Sequence, residues 1–339
     1  MPPPRLVRRL ILQPLFIVLT LALTVLSPLL LLAAAVVSPL LGGRWRLLRV
    51  AAYSLLWMQR EVIVIIASAG LWASGIGRMD SPRMQQRHYR LMRWFMRSAR
   101  VWGERLLGVT VHIEDDGRAD TVLLANDRPL LVFSRHSGPG DTLYLVDMLL
   151  DRYGRETRIV MKEVLKLDPC MDLAGTRVPN YFVPPPARRR DGSWETGIAA
   201  LSRGLDDRGA LLLFPEGGNF SEARRMRRLR KLLHRGHRRD AERAMRMHHV
   251  IAPEPGGALT AVAAAPTASV ILVAHGGLSG LEGGSLLSRA PMDRVFRVCL
   301  WYVDRASIPD GEEAQRDWLL SCWQRIDHWV ATDAGLRAG

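Results

Sequence analysis

The fold is decided by the stretch Ala210-Leu211-Leu212-Leu213-Phe214-Pro215-Glu216-Gly217-Gly218, in which an apolar run ends in a sharp turn. A short continuous apolar run bounded by turn residues is typical of a fully buried strand. In open α/β sheets, ligands bind in the crevice where such strands end. The stretch therefore predicts an α/β protein, and it makes Glu216 a candidate site residue.

Similar apolar runs recur on both sides of this stretch, and helical patterns separate several of them. The predicted strands are residues 110–114, 121–125, 130–134, 158–162, 178–183, 210–214, 270–274 and 295–303. The predicted helices are residues 83–107, 141–152, 193–207, 222–247 and 312–332. Strands that alternate with helices predict a largely parallel central sheet flanked by helices.

A second candidate site lies in the run Ser134-Arg135-His136-Ser137-Gly138-Pro139-Gly140-Asp141. Transfer of an acyl group to a hydroxyl needs a base, and His is the side chain best matched to neutral pH. A carboxylate at the far ring nitrogen holds the ring in one tautomer. The Gly-Pro-Gly turn can bring Asp141 back to His136, which predicts a catalytic pair. Asp141 also precedes an apolar helical pattern and is a candidate N-cap, a compatible role.

Two apolar segments precede the α/β region. Residues 10–41 carry no charge, and residues 50–76 carry only Arg60 and Glu61. Both are long enough to cross a bilayer. Prolines are expected to break or kink the first segment, at Pro14, Pro28 and Pro39.

Basic residues flank the first apolar segment at both ends, so the positive-inside rule gives no orientation. A spanning hairpin and a re-entrant hairpin both stay open. We predict a membrane-anchoring hairpin at residues 1–78 and a catalytic domain at residues 79–339. We expect the cytoplasmic membrane, with the catalytic domain on the cytoplasmic face.

The chain is strongly basic, with a net charge of +14 over 339 residues. Such a charge favours nucleic acid, anionic lipid or a phosphorylated substrate and does not choose among them. The three cysteines Cys170, Cys299 and Cys322 are odd in number and widely spaced. They imply neither a disulfide framework nor a zinc site, and a reducing compartment is the simplest interpretation.

The two candidate motifs together resemble those of the 1-acylglycerol-3-phosphate acyltransferase family: a His with an Asp five positions later, then Phe-Pro-Glu-Gly about eighty residues on. The resemblance covers roughly residues 120–335. A middle block of the family is similar to Lys162, Leu165, Pro169, Gly175 and Tyr181-Phe182-Val183. Residues 248–257, Ile308-Pro309 and Trp318-Leu319 resemble the lysocardiolipin and lysophosphatidylinositol branch of that family.

This resemblance implies a membrane-bound O-acyltransferase of phospholipid biosynthesis or remodelling. The donor would be acyl-coenzyme A or an acyl carrier protein, the acceptor a lysophosphatidate or lysophospholipid hydroxyl, and no cofactor or metal would be needed. His136 would be the base and Asp141 its orienting partner. The predicted acceptor site comprises Phe214, Pro215, Glu216 and Gly217. Backbone amides near Gly217 and Gly218, or the Lys162 side chain, would stabilise the oxyanion.

The chain departs from the family pattern at two places. Arg135 stands where the family has Asn, and Gly218-Asn219-Phe220-Ser221 stands where it has Thr-Arg-Ser. The missing Arg would clamp the acceptor phosphate, because its planar fork suits that anion. Asn219 therefore removes a charge from the predicted acceptor site. We expect another Arg to substitute, with Arg135, Arg177 and Arg188-Arg189-Arg190 as candidates, or else a different acceptor.

Residues 224–239 contain nine Lys or Arg and no acid. This segment is interpreted either as a solvated helix or as a contact for anionic lipid headgroups or coenzyme A phosphates. Nucleic acid is disfavoured because no reader motif is present. His234 and His237 lack a third metal ligand, and His275 is interpreted as a strand-end residue. The alternative function is a non-catalytic anionic-membrane or polyanion-binding protein on an acyltransferase fold.

Overall fold

A seven-stranded sheet lies at the centre of the part of the chain that the structure describes. The computed structural model describes residues 2–41, 44–76, 81–188, 192–278 and 290–338. The strands are β1 (Thr110–Asp115), β2 (Leu130–Ser134), β3 (Glu156–Lys162), β4 (Tyr181–Val183), β5 (Gly209–Leu213), β6 (Ser269–Gly276) and β7 (Val295–Val303). Their order is β1-β7-β6-β2-β5-β3-β4. All neighbours are parallel except the antiparallel pair β6 and β7, which confirms the predicted α/β fold with a largely parallel sheet.

Helices cover both faces of this sheet. They are α1 (Arg5–Val7), α2 (Gln13–Val37), α3 (Arg46–Ser74), α4 (Pro82–Trp102), α5 (Ala119–Ala125), α6 (Pro139–Asp147), α7 (Pro169–Leu173), α8 (Ser193–Arg203), α9 (Glu222–His234), α10 (Arg238–Met245), α11 (Pro255–Ala264) and α12 (Glu312–Ala338). Alternate side chains of β2 enter two cores: Leu130 and Val132 meet α4 and α6, whereas Leu131 and Phe133 meet α8, α11 and α12. Burial on both faces explains the continuous apolar pattern of the central strands.

The N-terminal segments form two long apolar helices that pack against each other. The helical span Arg5–Leu41 and the helix Arg46–Ser74 are long and apolar enough to cross a membrane by length and composition alone. Only 6% of the most apolar window of the first span is buried, so it is not a core helix. The predicted boundary at residues 78–79 lies outside the described residues.

The expected break at Pro28 does not occur, because Pro28 lies inside α2. Proline removes the hydrogen bond to the carbonyl four residues earlier. The Ser27 hydroxyl donates instead to that carbonyl of Thr24, at 2.7 Å. Side-chain donation therefore satisfies the acceptor that the proline leaves open.

Two other local predictions were wrong. Residues 121–125 form helix α5 instead of a strand, because the Asp116 carboxylate accepts the backbone N–H of Ala119 at 3.0 Å and starts a helical turn. The predicted helix 222–247 is two helices, broken beside Gly236 at φ +77°. Short apolar runs do not distinguish helix from strand, and a glycine in the left-handed region ends a helix.

Candidate active site

The candidate site lies at the carboxyl ends of two neighbouring parallel strands, β2 and β5. His136 follows β2 by two residues, and Glu216 follows β5 by three. Because parallel strands end at the same edge of the sheet, the two motifs meet although 80 residues separate them. The sheet topology therefore brings the residues of the two motifs together.

His136 and Asp141 are close enough to interact directly. The His136 Nδ1 atom lies 3.3 Å from Asp141 Oδ1 and 3.4 Å from Oδ2. The carboxylate is fully buried, whereas the His136 side chain keeps 17% of its surface exposed. Pairing at Nδ1 leaves Nε2 as the ring nitrogen able to accept a proton. This is the geometry of a base held by a carboxylate.

Asp141 is not the N-cap that the sequence indicated, because α6 begins at Pro139 and Asp141 lies in its first turn. From there it reaches back to the preceding backbone. Its Oδ2 atom accepts the N–H of Ser137 at 2.6 Å and that of Gly138 at 2.8 Å. The backbone of the turn thus holds the Asp141 carboxylate in place, and the carboxylate in turn orients the His136 ring.

These donors determine the charge of Asp141. Burial alone would raise its pKa. The hydrogen bond with His136, the electrostatic influence of His275 and His136, and the backbone donor of Gly138 together hold the pKa of Asp141 well below its usual range. The carboxylate is therefore ionised at neutral pH and can stabilise a protonated His136.

The turn after β5 packs around the other side of His136. The Phe214 ring stacks on the imidazole, with 4.4 Å between ring centroids. The Phe220 N–H donates to the His136 carbonyl at 2.6 Å. Phe214 therefore contacts the predicted base itself, and Phe220 anchors the segment that contains Gly218 and Asn219.

Glu216 links main-chain segments. Its Oε1 accepts the N–H of His136 at 3.3 Å, and its Oε2 accepts the N–H of Ile251 at 3.2 Å. Burial raises the pKa of Glu216 to about 8, against the opposing influence of Arg135 and of these amides. Glu216 therefore joins the turn after β5 to the main chain of His136 and of Ile251.

Arg135 does not fit its predicted place in the acceptor site. Its side chain is almost completely buried, and the guanidinium donates to the carbonyls of His275 at 2.6 Å and His249 at 3.0 Å. An Arg aimed into the protein cannot bind an acceptor phosphate. The other candidates are also elsewhere: Arg188 pairs with Glu163, Arg177 lines a separate cavity, and residues 189–190 lie outside the described residues.

A pair of cations instead lies beside Gly218. A Cβ atom placed on Gly218 would be 3.1 Å from Lys162 Nζ and 3.2 Å from Arg224 Nη1. Arg224 also donates to the Asn219 carbonyl at 2.9 Å. Lys162 was predicted from the sequence, but Arg224 was missed because it was counted with the basic segment 224–239. The signal was its position only five residues after Asn219.

The remaining turn residues shape the backbone. Pro215 is buried, and its carbonyl accepts the N–H of Glu254 at 2.8 Å. Gly217 has φ +70°, a conformation that favours glycine. Its N–H donates to the Phe214 carbonyl at 3.0 Å, so it does not face an oxyanion. The Gly218 amide and Lys162 remain as predicted oxyanion donors.

His275 is a further site residue that the sequence did not reveal. It lies at the end of β6, beside β2, and is fully buried. Its Nε2 atom is 2.9 Å from the Arg135 carbonyl and 3.5 Å from Asp141 Oδ2. Burial lowers the pKa of His275 to about 4, so the ring is neutral and donates from Nε2. Only the pairing of β6 with β2 could have placed it here.

Much of the predicted basic segment is tied to the protein itself. Arg228 donates to the carbonyls of Ala252 and Pro253, at 3.2 and 2.6 Å. Lys231 pairs with Glu254 at 2.8 Å. These cations hold the chain between α10 and α11, so they are engaged by the protein and not by solvent alone.

Part of the chain is similar to a known protein family. The family model described as Acyltransferase matches residues 108–255, which contain every predicted site residue from Arg135 to Asn219. Residues 108–255 are thus similar to an acyltransferase domain. The crystal structure of the 1-acyl-sn-glycerophosphate acyltransferase PlsC from Thermotoga maritima is similar at 14% identity and a TM-score of 0.49, over 83% of this chain and 96% of that chain. No curated protein matches.

Proposed function

We propose that the chain transfers a fatty acyl group from a thioester, acyl-coenzyme A or an acyl carrier protein, to the hydroxyl of a lysophosphatidate or related lysophospholipid. The observation that carries this proposal is the His136–Asp141 pair at the carboxyl ends of β2 and β5, with 3.3 Å between Nδ1 and Oδ1. A base held in this way activates a hydroxyl, and the match to an acyltransferase family supports acyl transfer as the reaction.

His136 would act on the acceptor directly. Its Nε2 atom takes the hydroxyl proton as the oxygen forms a bond to the thioester carbon. The tetrahedral intermediate then breaks its carbon–sulfur bond, and the proton passes from Nε2 to the departing thiolate. Ionised Asp141 stabilises the protonated ring between these steps. A side-chain nucleophile is not required, since the thioester is already activated.

The acceptor phosphate would bind the Lys162 ammonium and Arg224 beside Gly218, which leaves the oxyanion to the Gly218 amide. Both cations are within 3.2 Å of the position of a Cβ atom there. An Arg fork and a Lys ammonium suit a phosphate monoester, one by shape and one by charge. Arg224 would thereby supply the charge that Asn219 lacks, which favours a phosphate-bearing acceptor.

Membrane attachment by the two apolar helices is part of the proposal, and ion pairs favour an arrangement on one side of the membrane. Arg8 near the start of the first helix pairs with Asp172 at 2.7 Å. Arg49 near the start of α3 pairs with Asp293 at 2.8 Å. Both acids belong to the α/β domain, so the start of the first helix and the start of α3, which follows the end of that helix, both lie against it. This supports a re-entrant hairpin over a spanning one.

The first test is transfer of a labelled acyl group to a panel of lysolipids by the full chain in detergent, with coenzyme A and carrier-protein donors. His136→Ala should lower kcat by at least about 10²-fold, within the range for loss of a general base. The matched control is His234→Ala, an exposed His in α9. No transfer by the wild-type protein from either donor, with binding to anionic vesicles retained, would favour the non-catalytic alternative.

The acceptor is tested by Arg224→Gln. It should raise KM for lysophosphatidate about tenfold and leave KM for an uncharged monoacylglycerol unchanged, because one charge-assisted contact is lost. Arg227→Gln, an exposed change in the same helix, is the control. If KM rises equally for both acceptors, Arg224 does not bind the acceptor phosphate.

A further inference from the structure

A second basic cavity lies where the hairpin meets the α/β domain. Its volume is about 300 Å³, enough for a lipid headgroup. Five cations line it, and Asp172 is the one carboxylate among its lining residues; the cations are Arg5, Arg8, Arg9, Lys166 and Arg177. Five positive charges less one negative charge leave the lining at +4. The cavity shares no residue with the candidate active site.

The single carboxylate is already engaged. Asp172 is buried and lies 2.7 Å from Arg8 and 3.4 Å from Arg9. Arg177 is left with a buried Nε that has no hydrogen-bond partner among the described residues. Burial, and then the positive charges of Arg9 and Arg5, lower the pKa of Arg177. The cations thus repel one another around a space that suits an anion with several acceptor oxygens.

Lys166 adds a further positive charge to the lining from the segment after β3. Its ammonium lies 4.8 Å from the centre of the Phe182 ring, which holds it in place. Glu163 is 4.0 Å away, but its closer partner is Arg188. The positive charge of Lys166 is therefore only weakly compensated by Glu163 and can interact with an anion in the cavity.

Exposed apolar side chains surround this charge. Leu6 and Leu10, next to the arginines of the first helix, are 72% and 70% exposed. Val164 and Leu167, on either side of Lys166, are 52% and 46% exposed. An anion pocket within an apolar rim suits an amphiphile whose phosphate enters the pocket while its chains stay outside.

We propose that this cavity binds the phosphate group of an anionic phospholipid, at a site separate from the acceptor site beside Gly218. The inference rests on the proposed attachment to a membrane and not on the proposed catalysis. A free phosphate offers the same oxygens, but it leaves the apolar rim exposed to water, so the rim favours the lipid.

The test is lipid binding by the full chain in an uncharged detergent, measured by native mass spectrometry. Phosphatidylglycerol and phosphatidylcholine of equal chain length are compared at equal mole fraction in the micelle. The double variant Arg5→Gln with Arg177→Gln should weaken phosphatidylglycerol binding at least about tenfold. It leaves Arg8, Arg9 and Asp172, which attach the helix, in place, and an unchanged melting temperature checks the fold.

The matched control is Arg238→Gln with Arg239→Gln, which removes the same charge from exposed positions of α10 and should change nothing. Equal binding by both double variants overturns the proposal, as does equal binding of phosphatidylcholine. Inorganic phosphate that displaces the lipid at similar concentration would overturn the lipid as the ligand. His136→Ala should bind the lipid normally; this separates a failure of the cavity from a failure of the catalytic proposal, which transfer assays report.

Discussion

The turns after β2 and β5 each bury a carboxyl group beside His136, yet they hold it in different protonation states. Asp141 accepts the backbone amides of Ser137, Gly138 and Thr142 at 2.6, 2.8 and 2.6 Å and faces His136 and His275, and its pKa is lowered. Glu216 accepts amides only at 3.2 and 3.3 Å, and burial raises its pKa to about 8. Both side chains are almost fully buried. The difference therefore comes from the donors, because equal burial would otherwise raise both pKa values.

The largest expected effect tests the charge on Asp141. Asp141→Asn keeps the shape of the side chain but removes the charge that holds the His136 tautomer, so kcat should fall about 10³- to 10⁴-fold. The control is Asp147→Asn, at the end of the same helix, where the carboxylate pairs with Arg100 at 2.6 Å. We expect its kcat per folded molecule to stay near that of the wild type. A kcat for Asp141→Asn within tenfold of wild type would contradict the role of the charge.

The opposite protonation state of Glu216 predicts a pH effect on stability. Between about pH 4.5 and 8 the folded protein holds a proton on Glu216 that the unfolded chain has released. The free energy of unfolding therefore falls as pH rises through this window, by at most roughly 1.4 kcal/mol per pH unit. Glu216→Gln removes the titration, so its melting temperature should decline less than that of the wild type.

Glu222→Gln is the matched control for this experiment, since Glu222 is an exposed carboxyl just after the same turn. It should keep the wild-type dependence of melting temperature on pH. Asp141 works in the other direction: its stabilisation is present above its unfolded pKa and is lost as pH falls through the lower folded value. If Glu216→Gln and wild type decline in parallel from pH 5 to 8, Glu216 is ionised in the fold.

Sequence reasoning placed most of the fold and the two motifs of the site, because both depend on local patterns. Buried strands such as β2 and β5 show as continuous apolar runs, and the turns after them carry His136 and Glu216. Helix α5 was mistaken for a strand because seven residues are too few to show a period. Periodicity thus identifies long elements and leaves short ones undecided.

The rest of the site depends on contacts between distant residues. His275 reaches the Arg135 carbonyl across 140 positions, through a strand pairing that no local pattern encodes. The same is true of Arg135, which appeared as a free cation in the sequence and is buried in the structure. Arg224 comes to Gly218 because the segment after β5 folds back. The sequence shows that a residue is charged, but it does not show whether its side chain points into the protein or toward a binding site.

His275 contacts Asp141 in the turn after β2, so it tests how that turn is held in place. His275→Ala removes the Nε2 donor at the Arg135 carbonyl and should lower kcat about tenfold, roughly 1.4 kcal/mol in the barrier, with KM unchanged. His275→Gln places an amide N–H near the same position and should restore most of kcat. If kcat falls equally in both variants, or if only KM changes, His275 contributes to packing and does not position the turn after β2.

The smallest expected effect concerns the backbone of the turn after β5. Gly217 and Gly154 have similar backbone angles, φ +70° and +64°, and a Cβ atom meets nothing closer than 3.8 Å at either. Alanine should therefore cost each about 1–2 kcal/mol of stability through strain alone. Gly217→Ala should also lower kcat several-fold, because relief of that strain moves Glu216 and with it the main chain of His136. Gly154→Ala, which follows the helical turn before β3, should leave kcat unchanged. If both variants lose stability equally and neither loses kcat, the turn after β5 tolerates movement, and only the turn after β2 has to be rigid for catalysis.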